Sequence, residues 1–133
     1  MDLLEITTTR LKTDMIDFRD LQVWHKAHLL ALEVYRETGS FPKHECFGLT
    51  SQLRRAALSI PANISEGSGF DSDRELARFM RIARGSASEV EYLLLVSRDL
   101  RYLHRERADG LAQNTIEIRR MLTGFLRRLD AKG

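Results

Sequence analysis

The chain has 133 residues, enough for one domain that buries roughly two-thirds of its unfolded surface. Hydrophobic residues make up 43% and charged residues 30%, which excludes a disordered chain, and two prolines with eight glycines exclude a loop-rich one. No apolar run reaches the ~20 residues of a membrane span, the N-terminus lacks a basic-then-apolar signal, and Cys46 stands alone, so a reducing cytoplasm is the expected home. The net charge of +2 is too small to argue for nucleic acid. Its distribution says more. Residues 1–49 carry six Lys or Arg against eight Asp or Glu, whereas residues 50–133 carry fifteen against eleven, and fourteen of those fifteen are arginine. Arginine's planar fork suits carboxylate and phosphate alike, so the basic half is built for polar contacts.

Residues 1–16 show no stable period and read as a flexible N-terminal arm ahead of one domain over 17–133. From about Asp20 to Thr38, the residues Trp24, Ala27, Ala31, Val34, Tyr35 and Thr38 fall on one helical face. Gly39-Ser40 and Phe41-Pro42 stop that helix. A second helix from about His44 to Glu66 aligns Leu49, Leu53, Ala56, Ala57, Ile60 and Ile64, and Gly67-Ser68-Gly69 reads as its stop. Ser72 with Glu75 forms a capping box opening a third helix to about Leu100, with Leu76, Met80, Ala83, Ala87, Val90 and Leu94 at 4-3 spacing. The fourth, from about Arg105 to Asp130, repeats that spacing in Leu111, Thr115, Ile118, Leu122, Phe125 and Leu129. Short connections favour antiparallel neighbours, so the expected fold is all-α, an up-down-up-down four-helix bundle.

Two features break the regular pattern. Pro61 sits inside the second helix, where it removes one i→i−4 bond and is expected to bend the helix. Gln52, Ser59, Asn63 and Glu66 line one flank of the same helix and need partners, because an unpaired buried polar group costs ~1–3 kcal/mol. Arg84, Ser86 and Glu89 of the third helix are the candidates, and Gly85 among them suggests close backbone approach by a neighbour. The expectation is a structural polar cluster tying the second helix to the third, within or between subunits.

Searches for chemistry return little. No Glu-x-x-His pairs of a di-metal bundle occur. His25 and His28 share a face, but nothing completes a metal shell, and His28 reads as packing beside Trp24. Cys46 has only His44 as a basic neighbour and no triad context. Gly67-Ser68-Gly69 lacks the Lys-Ser/Thr of a phosphate loop, and Asn63-Ile64-Ser65 matches a glycosylation acceptor by letters alone. No metal or cofactor is implied. What remains is a cationic stripe: Arg74, Arg78 and Arg81 lie within about 60° on the third helix. Arg54 and Arg55 project from the second helix, and Arg119, Arg120, Arg127 and Arg128 from the fourth. That surface could track a phosphate backbone or pair with the acidic first helix (Asp17, Asp20, Glu33, Glu37) of a neighbouring subunit.

The stretch Asp20-Leu21-x-Val23-Trp24, with Gln52-x-x-Arg55-Ala56, Ser59-Ile60-Pro61-x-Asn63-Ile64-x-Glu66-Gly67 and Ala83-Arg84-Gly85-Ser86, resembles the bacterial four-helix bundle protein family. That family includes proteins encoded in large-subunit rRNA intervening sequences and the accessory variability determinant of diversity-generating retroelements. The resemblance runs from about Phe18 to Leu129. It implies an antiparallel bundle, a homo-oligomer of five subunits in a ring, and no enzyme activity. It also implies, through the retroelement branch, a basic surface that meets nucleic acid and a reverse transcriptase, although most members have no assigned function. The chain departs from the family at Arg101, where glycine is common at the helix end. Two functions therefore stand open: a non-enzymatic oligomeric scaffold or binding protein, and a nucleic-acid-binding accessory protein using Arg54, Arg55, Arg74, Arg78 and Arg81. An enzyme built on Asn63, Glu66 and Arg84 is the remaining alternative.

Overall fold

The computed structural model describes residues 16–132, and they form four long helices with no strand among them. After a 3₁₀ turn at Phe18–Asp20, α1 spans Gln22–Thr38, α2 Leu49–Ser68, α3 Asp73–Asp99 and α4 Arg105–Lys132. The expected arm over 1–16 lies outside the described residues except for Ile16, which is buried against the core. Consecutive helices pack along their lengths, most extensively α2 on α3 and α3 on α4, and α1 closes the square against α4. Cross-helix pairs show that neighbours run antiparallel. Ser59 meets Ser86 while Gln52 meets Glu89, Arg81 meets Asp130 while Arg98 meets Asp109, and Lys26 meets Glu117 while Arg107 meets Glu37.

The 4-3 stripes of α3 and α4 are all buried, as are Leu49, Leu53, Ala56, Ala57, Ile60 and Ile64 of α2, so the 3.6-residue period placed these core faces correctly. In α1 the buried face is turned slightly from the expected one. Val23 and Leu30 lie inside, Trp24 is half-buried and Tyr35 is exposed. Trp24 covers the edge instead, with its indole stacked on His28 at 4.9 Å between ring centres and against Phe18 at the same distance. His25 is tied down by a 2.7 Å contact from Nε2 to the carbonyl of Arg19.

The second helix differs from its expected bounds at both ends. Lys43–Glu45 form a separate 3₁₀ turn, because Gly48 adopts φ −111° and ψ −115° and breaks the helical path. The helix starts at Leu49, whose N–H donates to the Glu45 carboxylate at 3.2 Å, so Glu45 caps α2 from four residues upstream. At the other end Gly67 and Ser68 are helical and buried, and only Gly69 serves as the stop. Ser68 stays inside because its hydroxyl donates to the carbonyl of Ile64 at 2.7 Å. Pro61 is accommodated within the helix and buried.

Gly85 is not a point of close approach. A methyl group there would meet no heavy atom within 4 Å. The close approach is at Gly67, where an added Cβ would stand 2.8 Å from the Cβ of Phe79. At the α2–α3 corner, Ser72 caps α3 as expected, accepting from the Glu75 N–H at 3.3 Å. Arg101 takes the left-handed conformation (φ 64°) two residues after α3 ends, and the N–H groups of Arg101 and Tyr102 return to the carbonyls of Arg98 and Ser97.

Candidate functional site

The polar flank of α2 reaches α3, but through fewer residues than expected. Ser59 Oγ lies 2.8 Å from Ser86 Oγ, and Asn63 Nδ2 donates to both the carbonyl and the hydroxyl of Ser59 at 2.7 and 2.9 Å. Gln52 Nε2 donates to Glu89 at 3.4 Å nearer the other end of the seam. Glu66 and Arg84 do not join them. Glu66 is exposed and its carboxylate has no partner among the described residues. Arg84 projects to the opposite flank of α3, toward α4. The reason is angular: Arg84 and Ser86 are two residues apart, about 200° around a helix, and cannot share a seam. An active site of Asn63, Glu66 and Arg84 is therefore not assembled within the chain.

The expected cationic stripe is divided between occupied and free arginines. Arg54 closes the end of α1, donating from Nε to Thr38 Oγ1 at 2.8 Å and from Nη2 to the Tyr35 carbonyl at 3.2 Å, with its guanidinium 4.7 Å from the centre of the Tyr35 ring. Arg78 pairs with Glu75 at 3.1 Å and lies over Phe79, and Arg81 pairs with Asp130 at 3.1 Å. Arg55 and Arg74 are exposed with no carboxylate partner among the described residues. The acids of α1 are satisfied within the chain. Arg107 of α4 holds Glu37 at 2.7 Å and Glu33 at 3.5 Å, and the Glu37 hydrogen bond is the main reason its pKa is raised.

A second basic feature lies between α3 and α4. Arg81 and Arg84 from α3, with Arg119, Arg120 and Arg127 from α4, line a cleft of about 610 Å³. Gly85 and Gly124 open its walls, since a Cβ at either would meet nothing within 4 Å. The sequence displays all five arginines, yet helical spacing on separate helices does not tell that they converge. The pairing register of α3 with α4 decides that. Among the described residues no group of three or more His, Cys, Asp or Glu side chains could hold a metal ion, and no helix is long and apolar enough to cross a membrane.

These features define an all-helical antiparallel bundle whose polar chemistry is structural pairing plus a basic surface. The profile of the 23S rRNA-intervening sequence protein family matches residues 19–124, and the chain belongs to that family. A similar solved structure is a protein of unknown function from the S23 ribosomal protein family of Bacteroides thetaiotaomicron. It is 25% identical with a TM-score of 0.71, over 78% of this chain and 97% of that one. No curated protein matches the chain.

Proposed function

We propose that the protein is a non-enzymatic binding or scaffold protein that assembles with copies of itself, five in a ring, and meets nucleic acid through exposed arginines. The observation that carries the nucleic-acid part is the exposed, unpaired state of Arg55 and Arg74 on α2 and α3, whereas Arg78, Arg81 and Arg107 are each held by an acid. Free, exposed guanidiniums can exchange counterions for phosphates without first breaking an internal pair. Arg78 and Arg81, on the same face of α3 as Arg74, are already engaged, and Arg54 is committed to α1, so these three contribute less than their sequence positions suggest. Support for self-assembly comes from apolar side chains left outside the bundle. Leu29, Leu32 and Tyr35 on α1 and Leu58 on α2 are all exposed. The exposed thiol of Cys46, with no cysteine to pair with, suits a reducing cytoplasm.

A salt series with duplex DNA or structured RNA tests the binding part. Each phosphate contact adds about 0.9 to the salt slope on duplex DNA, so Arg55→Gln with Arg74→Gln should flatten it by up to about 2 units. Affinity should fall alike for unrelated sequences, because phosphate contacts carry no sequence information. Wild-type protein that binds no nucleic acid at low salt excludes this part of the proposal. Light scattering at micromolar concentration tests the ring, and a monomer there excludes it.

A further inference from the structure

The seam between α3 and α4 is a ladder of acid–base steps with one acid missing. Arg98 pairs with Asp109 at 3.3 Å, Glu91 with Arg119, and Arg81 with Asp130 at 3.1 Å. Three residues inward from Arg81 along α3 is Arg84, and three residues back from Asp130 along α4 is Arg127. The antiparallel register thus sets two arginines on one step, and neither has a carboxylate partner among the described residues. Arg120, on the same cleft, has none either. Like charges placed together on a helix seam are destabilising, and each of the three paired steps sets an acid against its arginine.

From the geometry we infer that the α3–α4 cleft is a discrete site for a compact phosphate-rich anion, a diphosphate group, held between Arg84 and Arg127 with Arg120 at the rim. Guanidiniums bind phosphate oxygens bidentately, and three unpaired forks around one cavity can hold more than one phosphoryl group. Gly85 and Gly124 leave the walls open, and the hydroxyls of Ser88 and Thr123 add polar groups to the lining. The ends argue for a short ligand over a running strand. Asp130 and Glu91, each paired with an arginine, stand about 15 Å apart along α3 by helical rise and bracket the free guanidiniums. A continuous phosphate backbone would have to pass these carboxylates, and a diphosphate would not. Beyond Ser88 a neighbouring groove of about 440 Å³, lined by Leu95, Ala112 and the 63% exposed Tyr92, offers room for a nucleoside attached to the diphosphate. The site uses none of the arginines on which the nucleic-acid reading rests, so the two stand or fall separately.

Isothermal titration of the full chain with inorganic pyrophosphate and with ADP, at low ionic strength, tests the site. Both should bind and raise the melting temperature. ADP tighter than pyrophosphate assigns a nucleotide ligand, and equal affinities assign the bare diphosphate. Arg84→Gln with Arg127→Gln should weaken pyrophosphate at least tenfold, whereas Arg55→Gln with Arg74→Gln should leave it unchanged. Arg127→Glu supplies the missing acid opposite Arg84. It should raise the melting temperature of the ligand-free protein and abolish the further rise that pyrophosphate produces. Absence of pyrophosphate and ADP binding overturns the proposal, as does unchanged binding in the Arg84/Arg127 double variant. Duplex DNA that binds through Arg84 and Arg127 where pyrophosphate does not would also overturn it, in favour of a strand.

Discussion

The α carbon of Gly67 faces Phe79 so closely that a single methyl group would come within 2.8 Å of the Phe79 Cβ. Phe79 Cβ is anchored to the backbone of α3, so only separation of the two helices could relieve that contact. Gly67→Ala should therefore lower stability by up to ~2 kcal/mol, because overpacking costs ~1–3 kcal/mol and the gain in helix propensity returns only ~1. Gly85→Ala and Gly110→Ala meet no heavy atom within 4 Å and should each stabilise by up to ~1 kcal/mol. Urea midpoints of the three variants check the contrast, and a stabilised Gly67→Ala would contradict the close approach.

The Ser59–Ser86–Asn63 group makes a second, graded prediction. Asn63→Ala removes two hydrogen bonds at a half-buried position and should cost ~1 kcal/mol. Glu66→Ala, on an exposed carboxylate without a partner, should change stability by no more than ~0.5 kcal/mol. A double-mutant cycle should give coupling of ~0.5 kcal/mol or more for Ser59 with Ser86, and additive effects for Asn63 with Arg84, which lie on different seams. Coupling of Asn63 to Arg84 would mean that the two meet across a subunit boundary.

Arg101 holds a conformation that disfavours its own Cβ. Its φ of 64° puts it in the left-handed region just after α3, a conformation that favours glycine. Arg101→Gly should relieve that cost and stabilise by about 0.5–1 kcal/mol, part of the relief being offset by the greater freedom of glycine in the unfolded chain. Thermal melts of the two proteins at one concentration are sufficient. A destabilised variant would show that the arginine side chain holds the corner.

Alkaline pH should loosen the same end of the bundle. Tyr102 donates from Oη to Glu45 at 3.1 Å, and its ring lies against Phe41. Partial burial, then the hydrogen bond to the Glu45 carboxylate, raises its phenol above the ordinary value. The unfolded chain ionises near pH 10 while the folded chain holds the proton to higher pH. This contribution is therefore complete below about pH 10 and is lost as pH rises through the folded value. Tyr102→Phe should be less stable than wild type at pH 8, and the gap should close as the pH rises above about 10. A gap that stays constant would show that the phenol proton is not shared with Glu45.

How much was legible in the sequence depended on whether a residue's role was local. The stripes of α3 and α4 and the Ser72 cap follow from spacing along one helix, and all of them hold in the structure. Arg101 stood out only as a departure from the resemblance, and its left-handed backbone was not legible from the letters. Periodicity cannot report which flank of one helix meets which flank of another. Gly85 and Gly67 look alike as letters in a helix, and only packing against Phe79 separates them. Ser59 could be matched to Ser86, yet Arg84, two residues away, was turned by helical geometry to another seam. The fourteen arginines of the basic half were visible from composition. Which are neutralised was decided by the register of α3 on α4 and of α1 on α4, because a guanidinium's charge is cancelled only by a carboxylate within a few ångströms. That is a three-dimensional distance, which helical spacing within one segment does not contain.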